Sequence, residues 1–183
     1  MQYLILSGDD TQEGIFRSII QETRKGAEDG GAETQILPLE GIGPCRSCSE
    51  DESECKSGRR CAYGEDGFDE AQAAVRQADA LCLVAPLKWG DVDGPTKDFM
   101  ERLRRCEHGL NGSLAGKPIL IVAVADGSVN ALLACLEQMD RFCRQTGAVI
   151  FDYLCINRWN SDYQKVSAHA AAKSMAYGRK AGY

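Results

Sequence analysis

The sequence predicts an α/β protein built on a doubly wound parallel sheet. Short apolar runs alternate five times with segments whose apolar residues recur at helical spacing, which is the pattern of successive strand–helix units. The longest apolar run, 118–125, reads PILIVAVA without a polar residue, as is typical of a strand covered on both faces. We therefore expect one sheet with helices on both of its faces.

Each element has its own local signal along the chain. Gly30 and Gly31 end the first predicted helix. Pro86 is expected to stop the third strand, because it has no N–H for the ladder. Pro95 is expected to begin a helix, where its missing N–H would have no partner in any case. The predicted strands are 2–6, 34–39, 81–85, 118–125 and 149–156, and the predicted helices cover about 15–27, 68–78, 95–106, 132–143 and 162–178.

Composition favours an ordinary globular protein and excludes several classes of function. The 183 residues predict a single domain, 1–183, with 44% hydrophobic and 26% charged residues. The net charge of −6 argues against a nucleic-acid surface or an anionic membrane surface, either of which requires a basic patch. No signal peptide or membrane span is apparent, so a cytoplasmic location is expected. Nine cysteines are then thiols, metal ligands or redox groups rather than disulfides.

The loop between the third strand and its helix is a candidate ligand platform. In open parallel sheets, ligands bind at the carboxyl ends of the strands. Leu87, Lys88, Trp89 and Gly90 occupy this position and offer a partly apolar surface to a flat ligand. The alternative is an ordinary connection that carries one surface tryptophan.

A family resemblance becomes specific in the same segment. Residues 85–103 read APLKWGDVDGPTKDFMERL, which resembles the SP-x-Y-[WF]-G…K-x-F-x-D-R segment of the NADPH-dependent FMN reductase family. The sequence departs from this pattern at Ala85, usually Ser, and at Lys88, usually an aromatic residue. The resemblance implies a flavodoxin-like fold with five parallel strands in the order 2-1-3-4-5. It also implies FMN as cofactor, NADPH or NADH as co-substrate, and a homodimer or homotetramer. The residues placed against the flavin ring would be Pro86, Leu87, Lys88, Trp89 and Gly90.

The first loop stands where the family binds the FMN phosphate. The family motif is G-S-P-R-x-x-[GS]-N-[ST], whereas this chain reads GDDTQEGIF over residues 8–16. Three acidic residues have entered, and Asp10 with Glu13 has the spacing of a capping box. One interpretation is a helix capped by its own carboxylates, with weak or absent phosphate binding. The other is that backbone amides still hold the phosphate with the side chains of this loop. The candidate residues are Ser7, Asp9, Thr11 and Gly14.

A third loop completes the site that the resemblance implies. Asp126, Gly127 and Ser128 follow the fourth strand and would flank the flavin, although Ser128 could serve only as a helix cap. The two histidines, His108 and His169, lie in polar surroundings and give little support for a hydrolase. No catalytic residue is predicted, because hydride transfer takes place between nicotinamide and flavin themselves.

A cysteine-rich insertion at about 40–66 interrupts the strand–helix alternation. Cys45, Cys48, Cys55 and Cys61 follow the spacing C-x2-C-x6-C-x5-C and could converge on one metal. Their location resembles that of the cluster ligands in iron–sulfur flavoproteins, whose spacing is C-x2-C-x2-C-x(4–7)-C. A 4Fe-4S cluster, a zinc ion and four unligated thiols remain open. The other five cysteines are expected to fill the core; they are Cys82, Cys106, Cys135, Cys143 and Cys155.

Three functional hypotheses follow. The first is an FMN-dependent oxidoreductase similar to the NADPH-dependent FMN reductases. The second is an iron–sulfur flavoprotein that carries electrons between a redox protein partner and FMN through the cysteine cluster. The third is a flavin-less interaction domain, with or without zinc, that kept the fold and lost the cofactor. A visible spectrum distinguishes them, since flavin is yellow, flavin with a cluster is brown and a zinc protein is colourless.

Overall fold

A computed structural model describes residues 1–46, 48, 55, 59–127 and 130–178. The remaining residues of the cysteine-rich insertion and the predicted site residue Ser128 lie outside the described residues. The strands are β1 (Gln2–Ser7), β2 (Glu33–Pro38), β3 (Ala80–Lys88), β4 (Asp91–Val92), β5 (Pro118–Ala125) and β6 (Val149–Asn157). The helices are α1 (Gly14–Asp29), α2 (Phe68–Gln77), α3 (Gly94–Cys106), α4 (Asn130–Thr146) and α5 (Ser161–Ala176).

Five of these strands form a parallel sheet in the order β2-β1-β3-β5-β6. The prediction of five strands was incomplete, because β4 pairs antiparallel with the end of β3. Only Trp89 and Gly90 separate the paired residues Lys88 and Asp91, and both have positive φ, at 51° and 81°. Two-residue hairpin turns of this kind require positive φ at both positions. Trp rarely adopts that conformation, so the hairpin has no recognisable signal in the sequence.

The third strand also runs further than predicted, through Pro86 to Lys88. The amide N–H of Gly8 donates to the carbonyl of Val84 at 2.9 Å, so the polar backbone groups of Val84 face β1. Pro86 lies two residues further on and faces the same side. There β1 has already ended at Ser7, which pairs with Val84. The missing N–H of Pro86 therefore breaks no ladder bond.

Alternate residues of the strands build two hydrophobic cores, one on each face of the sheet. Leu81 and Leu83 of β3 point into the core that contains α2, α3 and α4, whereas Cys82 and Val84 point into the core that contains α1 and α5. This alternation confirms the predicted placement of helices on both faces. It leaves the carboxyl ends of the strands as an edge where loops meet. No helix in the described ranges has both the length and the apolarity needed to cross a bilayer.

Candidate flavin site

A cavity of about 240 Å³ lies at the carboxyl ends of β1, β3 and β5. It therefore occupies the edge at which ligands bind in sheets of this kind. The first loop and the start of α1 contribute Asp9, Thr11, Glu13, Gly14, Ile15 and Phe16, the end of β3 contributes Pro86, Leu87 and Lys88, and the end of β5 contributes Val124, Ala125 and Asp126.

Most of the predicted site residues meet around this cavity. Those that line it are Asp9, Thr11, Gly14, Pro86, Leu87, Lys88 and Asp126. Ser7, Trp89, Gly90 and Gly127 are not among the lining residues. The indole of Trp89 is fully exposed, at 105% of its reference area, because the hairpin turn directs it into solvent. A flavin ring would have to cover this side chain from outside the cavity.

The predicted set of cofactor-binding residues lacks five of the lining residues. They are Glu13, Ile15, Phe16, Val124 and Ala125. In the sequence, Ile15 and Phe16 stand out only as departures from the family's phosphate motif. Val124 and Ala125 are the last two residues of β5. Their position at the carboxyl end of an apolar run was the signal that could have identified them.

The first loop is held by hydrogen bonds among its own side chains. The Ser7 hydroxyl donates to the Asp9 carbonyl, and Asp9 Oδ1 accepts from the Thr11 amide at 2.8 Å and from the Thr11 hydroxyl. The hydrogen bond from the Thr11 hydroxyl, with a smaller contribution from Lys88, lowers the pKa of Asp9. Asp9 is therefore charged at neutral pH, and both hydroxyls are already engaged.

The interpretation in which carboxylates of the first loop cap the helix is wrong. Helix α1 begins at Gly14 and has Glu13 as its N-cap, and no side-chain cap bond is made. Asp10 instead lies beside Glu40, whose pKa is raised foremost by a hydrogen bond with Asp10. The amides at the start of α1 thus remain without a capping side chain. They are the type of donor that binds phosphate at helix N-termini.

The charge around the cavity is predominantly negative. Asp9, Glu13 and Asp126 supply three carboxylates among the described lining residues, and Lys88 supplies the cation. Lys88 Nζ lies 3.4 Å from Asp9 Oδ2, so part of its charge is already neutralised. The cavity fits the uncharged part of a flavin better than it fits a phosphate dianion.

A buried carboxyl lies behind the first loop. Asp93 is 2% exposed, and its Oδ2 accepts from the Thr96 amide at 3.0 Å to cap α3. A Cβ at Gly8 would approach Thr96 Oγ1 to 2.3 Å and Asp93 Oδ1 to 2.6 Å. Glycine at position 8 therefore allows the first loop to pack directly on the start of α3. Burial raises the pKa of Asp93 to about 6.

This pKa predicts a pH-dependent stability. A carboxyl with a raised pKa keeps its proton in the folded state, so its contribution to stability falls as pH rises from about 4 to about 6. Over that window the free energy of unfolding of the wild type should fall by roughly 3 kcal/mol relative to that of Asp93→Asn. The variant escapes this loss because Asn stays neutral and can still accept from the Thr96 amide. Urea unfolding of both proteins at several pH values measures the difference. The exposed Asp162→Asn is the control, and a difference between wild type and Asp93→Asn that is constant with pH would contradict the assignment.

Three of the four cysteines of the insertion contact side chains of α3. Cys55 Sγ lies 3.4 Å from Cys106 Sγ, Cys61 Sγ accepts from Arg102 at 3.3 Å, and Cys45 Sγ accepts from Arg105 at 3.4 Å. Within the part of the chain that the structure describes, no three cysteine, histidine or acidic side chains are gathered closely enough to hold a metal ion. The arrangement does not fit a metal centre as it stands. The four-cysteine site therefore stays a prediction.

The fold and the cavity define an α/β protein of the flavodoxin-like class. The chain belongs to the NADPH-dependent FMN reductase family, whose sequence profile matches residues 1–160.

Among curated proteins, an iron–sulfur flavoprotein of Methanocaldococcus jannaschii is 27% identical over 106 residues, which cover 57% of this chain and 52% of the relative. The chain thus spans about half the length of that relative. Among solved structures, the NAD(P)H:quinone oxidoreductase from Methanothermobacter marburgensis has a TM-score of 0.71 at 14% identity and covers 96% of each chain. A flavone reductase has a TM-score of 0.73 at 16% identity, over 100% of this chain and 66% of its own. At these identities the structural likeness concerns the fold.

Proposed function

We propose that this protein is an FMN-dependent oxidoreductase that takes electrons from NADPH or NADH. The observation that carries the proposal is the cavity at the carboxyl ends of β1, β3 and β5, in a chain of the FMN reductase family. Ligands of open parallel sheets bind at this edge. The family match does not favour the flavin-less interaction domain.

The side chains around the cavity would bind and orient the flavin. Pro86 and Leu87 offer an apolar surface at the end of β3, and Lys88 places a cation at the rim. The amides at the start of α1, from Gly14, would approach the phosphate, and Ser7 and Thr11 would do so only by exchanging their present bonds to Asp9 for it. Asp126, Gly127 and Ser128 would flank the ring. When bound, the flavin supplies the redox chemistry, for which these side chains provide orientation and electrostatics. Lys88 would stabilise negative charge at the ring.

The activity is tested by adding NADPH or NADH to the FMN-loaded protein without oxygen. We expect the visible absorbance of the flavin to disappear with one nicotinamide nucleotide oxidised per flavin, and to return when an acceptor such as a quinone is added. Free FMN at the same concentration is the control. Flavin that stays oxidised with both nucleotides would contradict an NAD(P)H-dependent activity.

The exposed indole of Trp89 provides a test of the ring site. We expect Trp89→Ala to weaken FMN and riboflavin equally, by about 1–3 kcal/mol, because a flavin over the rim would cover this large apolar side chain. Quenching of flavin fluorescence measures both affinities. Trp159→Ala, which removes another exposed indole at the start of α5, is the matched control. Unchanged affinities in Trp89→Ala would show that the hairpin does not hold the ring.

We further propose that Cys45, Cys48, Cys55 and Cys61 are metal ligands when the insertion is loaded, with a 4Fe-4S cluster ahead of zinc. The matching of an iron–sulfur flavoprotein over part of the chain supports this proposal, although the thiols would have to leave their present partners on α3. Iron, sulfide and zinc analysis of anaerobically purified protein tests it. Absence of all three would contradict it.

We propose a homodimer or homotetramer in the cytoplasm, with a redox protein as a further partner. Large apolar side chains exposed on and beside α5 support an assembly; they are Trp159, Tyr163, Val166 and Tyr177. Light scattering of the purified protein gives the oligomeric state, and a monomer at micromolar concentration would contradict the proposal.

A further inference from the structure

Two thiols from distant parts of the chain meet at the end of α3. Cys55 belongs to the cysteine-rich insertion, whereas Cys106 is the last residue of α3 and lies outside the four-cysteine pattern. Their Sγ atoms are 3.4 Å apart, although 51 positions separate them in sequence. Cys106 is 1% exposed and Cys55 is half-buried. The prediction that Cys106 fills the core is confirmed, but this thiol also contacts a second sulfur.

Two other cysteines of the insertion, Cys61 and Cys45, accept hydrogen bonds from arginines of α3. Arg102 donates to Cys61 Sγ, and Arg105 donates to Cys45 Sγ. The ring of His108 lies 3.3 Å from the Cys55 carbonyl, just beyond the end of α3, and so helps to place Cys55 there. Cys61 also interacts with Cys106, so Cys106 lies close to two thiols of the insertion. Cys55 is the one of these two whose Sγ is placed 3.4 Å from Cys106 Sγ.

We propose that Cys55 and Cys106 form a reversible disulfide that ties the cysteine-rich insertion to α3. The sulfurs need to approach by roughly 1.4 Å to reach the disulfide bond length of about 2.05 Å. The proposal does not depend on flavin binding, since it concerns side chains outside the cavity. It excludes simultaneous metal ligation by Cys55, because a disulfide sulfur has no thiolate to offer.

The oxidant in this proposal is a low-molecular-weight disulfide of the glutathione class. Cys55 is the more accessible thiol, so its thiolate attacks the reagent disulfide, forms a mixed disulfide and releases one reagent thiolate. Cys106 then loses its proton and attacks the Cys55 sulfur, which releases the second reagent thiolate. Both departing thiolates take up the protons lost by the two cysteines. The protein loses two electrons, and the reagent disulfide is reduced to two thiols.

The test uses the 183-residue chain, shown by metal analysis to be free of iron and zinc, before and after treatment with oxidised glutathione. We expect non-reducing peptide mapping to show a Cys55–Cys106 link, a thiol titration to fall by two, and dithiothreitol to restore both thiols. The melting temperature should rise by roughly 5–15 °C, because the link closes a long loop in the unfolded chain.

Cys55→Ser and Cys106→Ser should each abolish the link and the rise in melting temperature. Cys143→Ser, which alters another buried thiol of the same core, should keep both. Cys55 is half-buried, so Cys55→Ser keeps the test available if Cys106→Ser fails to fold. A link from Cys55 to Cys45, Cys48 or Cys61, or a stable glutathione adduct without a link, would each overturn the proposal. Metal-loaded protein is a further control, and it should form no link while Cys55 is a ligand.

Discussion

Replacing Asp9 by Asn and Glu13 by Gln is expected to tighten FMN binding by about tenfold or more and to leave riboflavin binding unchanged. The two ligands share the ring and the ribityl chain and differ in the phosphate. Repulsion between two like charges about 4 Å apart costs about 1 kcal/mol in water, and more where the protein shields them from water. Attraction by a helix N-terminus contributes about 0.3–2 kcal/mol. Two carboxylates near the start of α1 can therefore cancel it.

The hydrogen bonds of the first loop make this double variant a conservative one. The Asp9→Asn change retains a side-chain oxygen that can accept from the Thr11 amide, as Asp9 Oδ1 does now at 2.8 Å. Lys88 Nζ lies 3.4 Å from Asp9 Oδ2, and a side-chain oxygen at position 9 can keep this contact. The double variant then differs mainly by the loss of two negative charges near the start of α1. The effect should diminish as salt is added, because these side chains are partly exposed to solvent.

Fluorescence titrations with FMN and riboflavin at low and moderate salt measure the effect. Glu137→Gln, which removes an exposed charge on α4, is the matched control and should change neither affinity. If the unaltered protein already binds FMN far more tightly than riboflavin, the acidic loop is not the obstacle proposed here. Tighter binding of both ligands in the double variant would also contradict the argument, because the effect would then not concern the phosphate.

Truncation of Arg102 is expected to produce the largest loss of stability, about 3 kcal/mol in Arg102→Ala. This side chain is 2% exposed, and its guanidinium lies 4.3 Å from the centre of the Phe68 ring. It donates to Asp66 Oδ2 at 2.6 Å, the Tyr63 carbonyl at 2.7 Å, the Gly43 carbonyl at 3.0 Å and Cys61 Sγ at 3.3 Å. It therefore attaches both ends of the cysteine-rich insertion to α3.

The expected loss of stability in Arg102→Ala depends on the groups that lose Arg102 as their partner. Burial alone would raise the pKa of Asp66, but hydrogen bonds, with that from Arg102 foremost, lower it below its usual range. Breaking a buried ion pair by removing one partner costs about 3–5 kcal/mol. The lower end applies here because the Asp66 side chain is 32% exposed and remains in contact with water. Arg102→Met, which keeps an apolar stem against Phe68, should recover part of the loss.

Urea unfolding at neutral pH measures these stabilities. Arg104→Ala changes an exposed arginine of the same helix and is expected to alter the free energy of unfolding by less than about 0.5 kcal/mol. Equal effects of Arg102→Ala and Arg104→Ala would show that the contacts of Arg102 contribute nothing to stability. Losses above about 5 kcal/mol would indicate that the insertion and α3 unfold together.

Patterns among neighbouring residues were enough to predict the main strands and helices and their layering. A strand buried on both faces must be apolar throughout, as 118–125 is, and a helix packed on a sheet must be apolar on one stripe. These requirements depend on neighbours along the chain, so they can be recognised locally. The short segment 85–103 likewise carried the family resemblance, and the sequence profile of that family matches residues 1–160.

The pairs of side chains that meet across the molecule became visible only in the folded chain. The ion pair of Asp9 with Lys88 joins positions 79 apart, and the contact of Cys55 with Cys106 joins positions 51 apart. Neither has a periodic signal, because the packing of whole elements sets the distance between side chains on different elements. The direction of Trp89 was equally hidden, since it follows from a hairpin turn with a positive φ that tryptophan rarely adopts. Local sequence patterns therefore determine the strands, the helices and their layers. Contacts between residues distant in sequence determine the charge around the cavity and the position of the thiol pair.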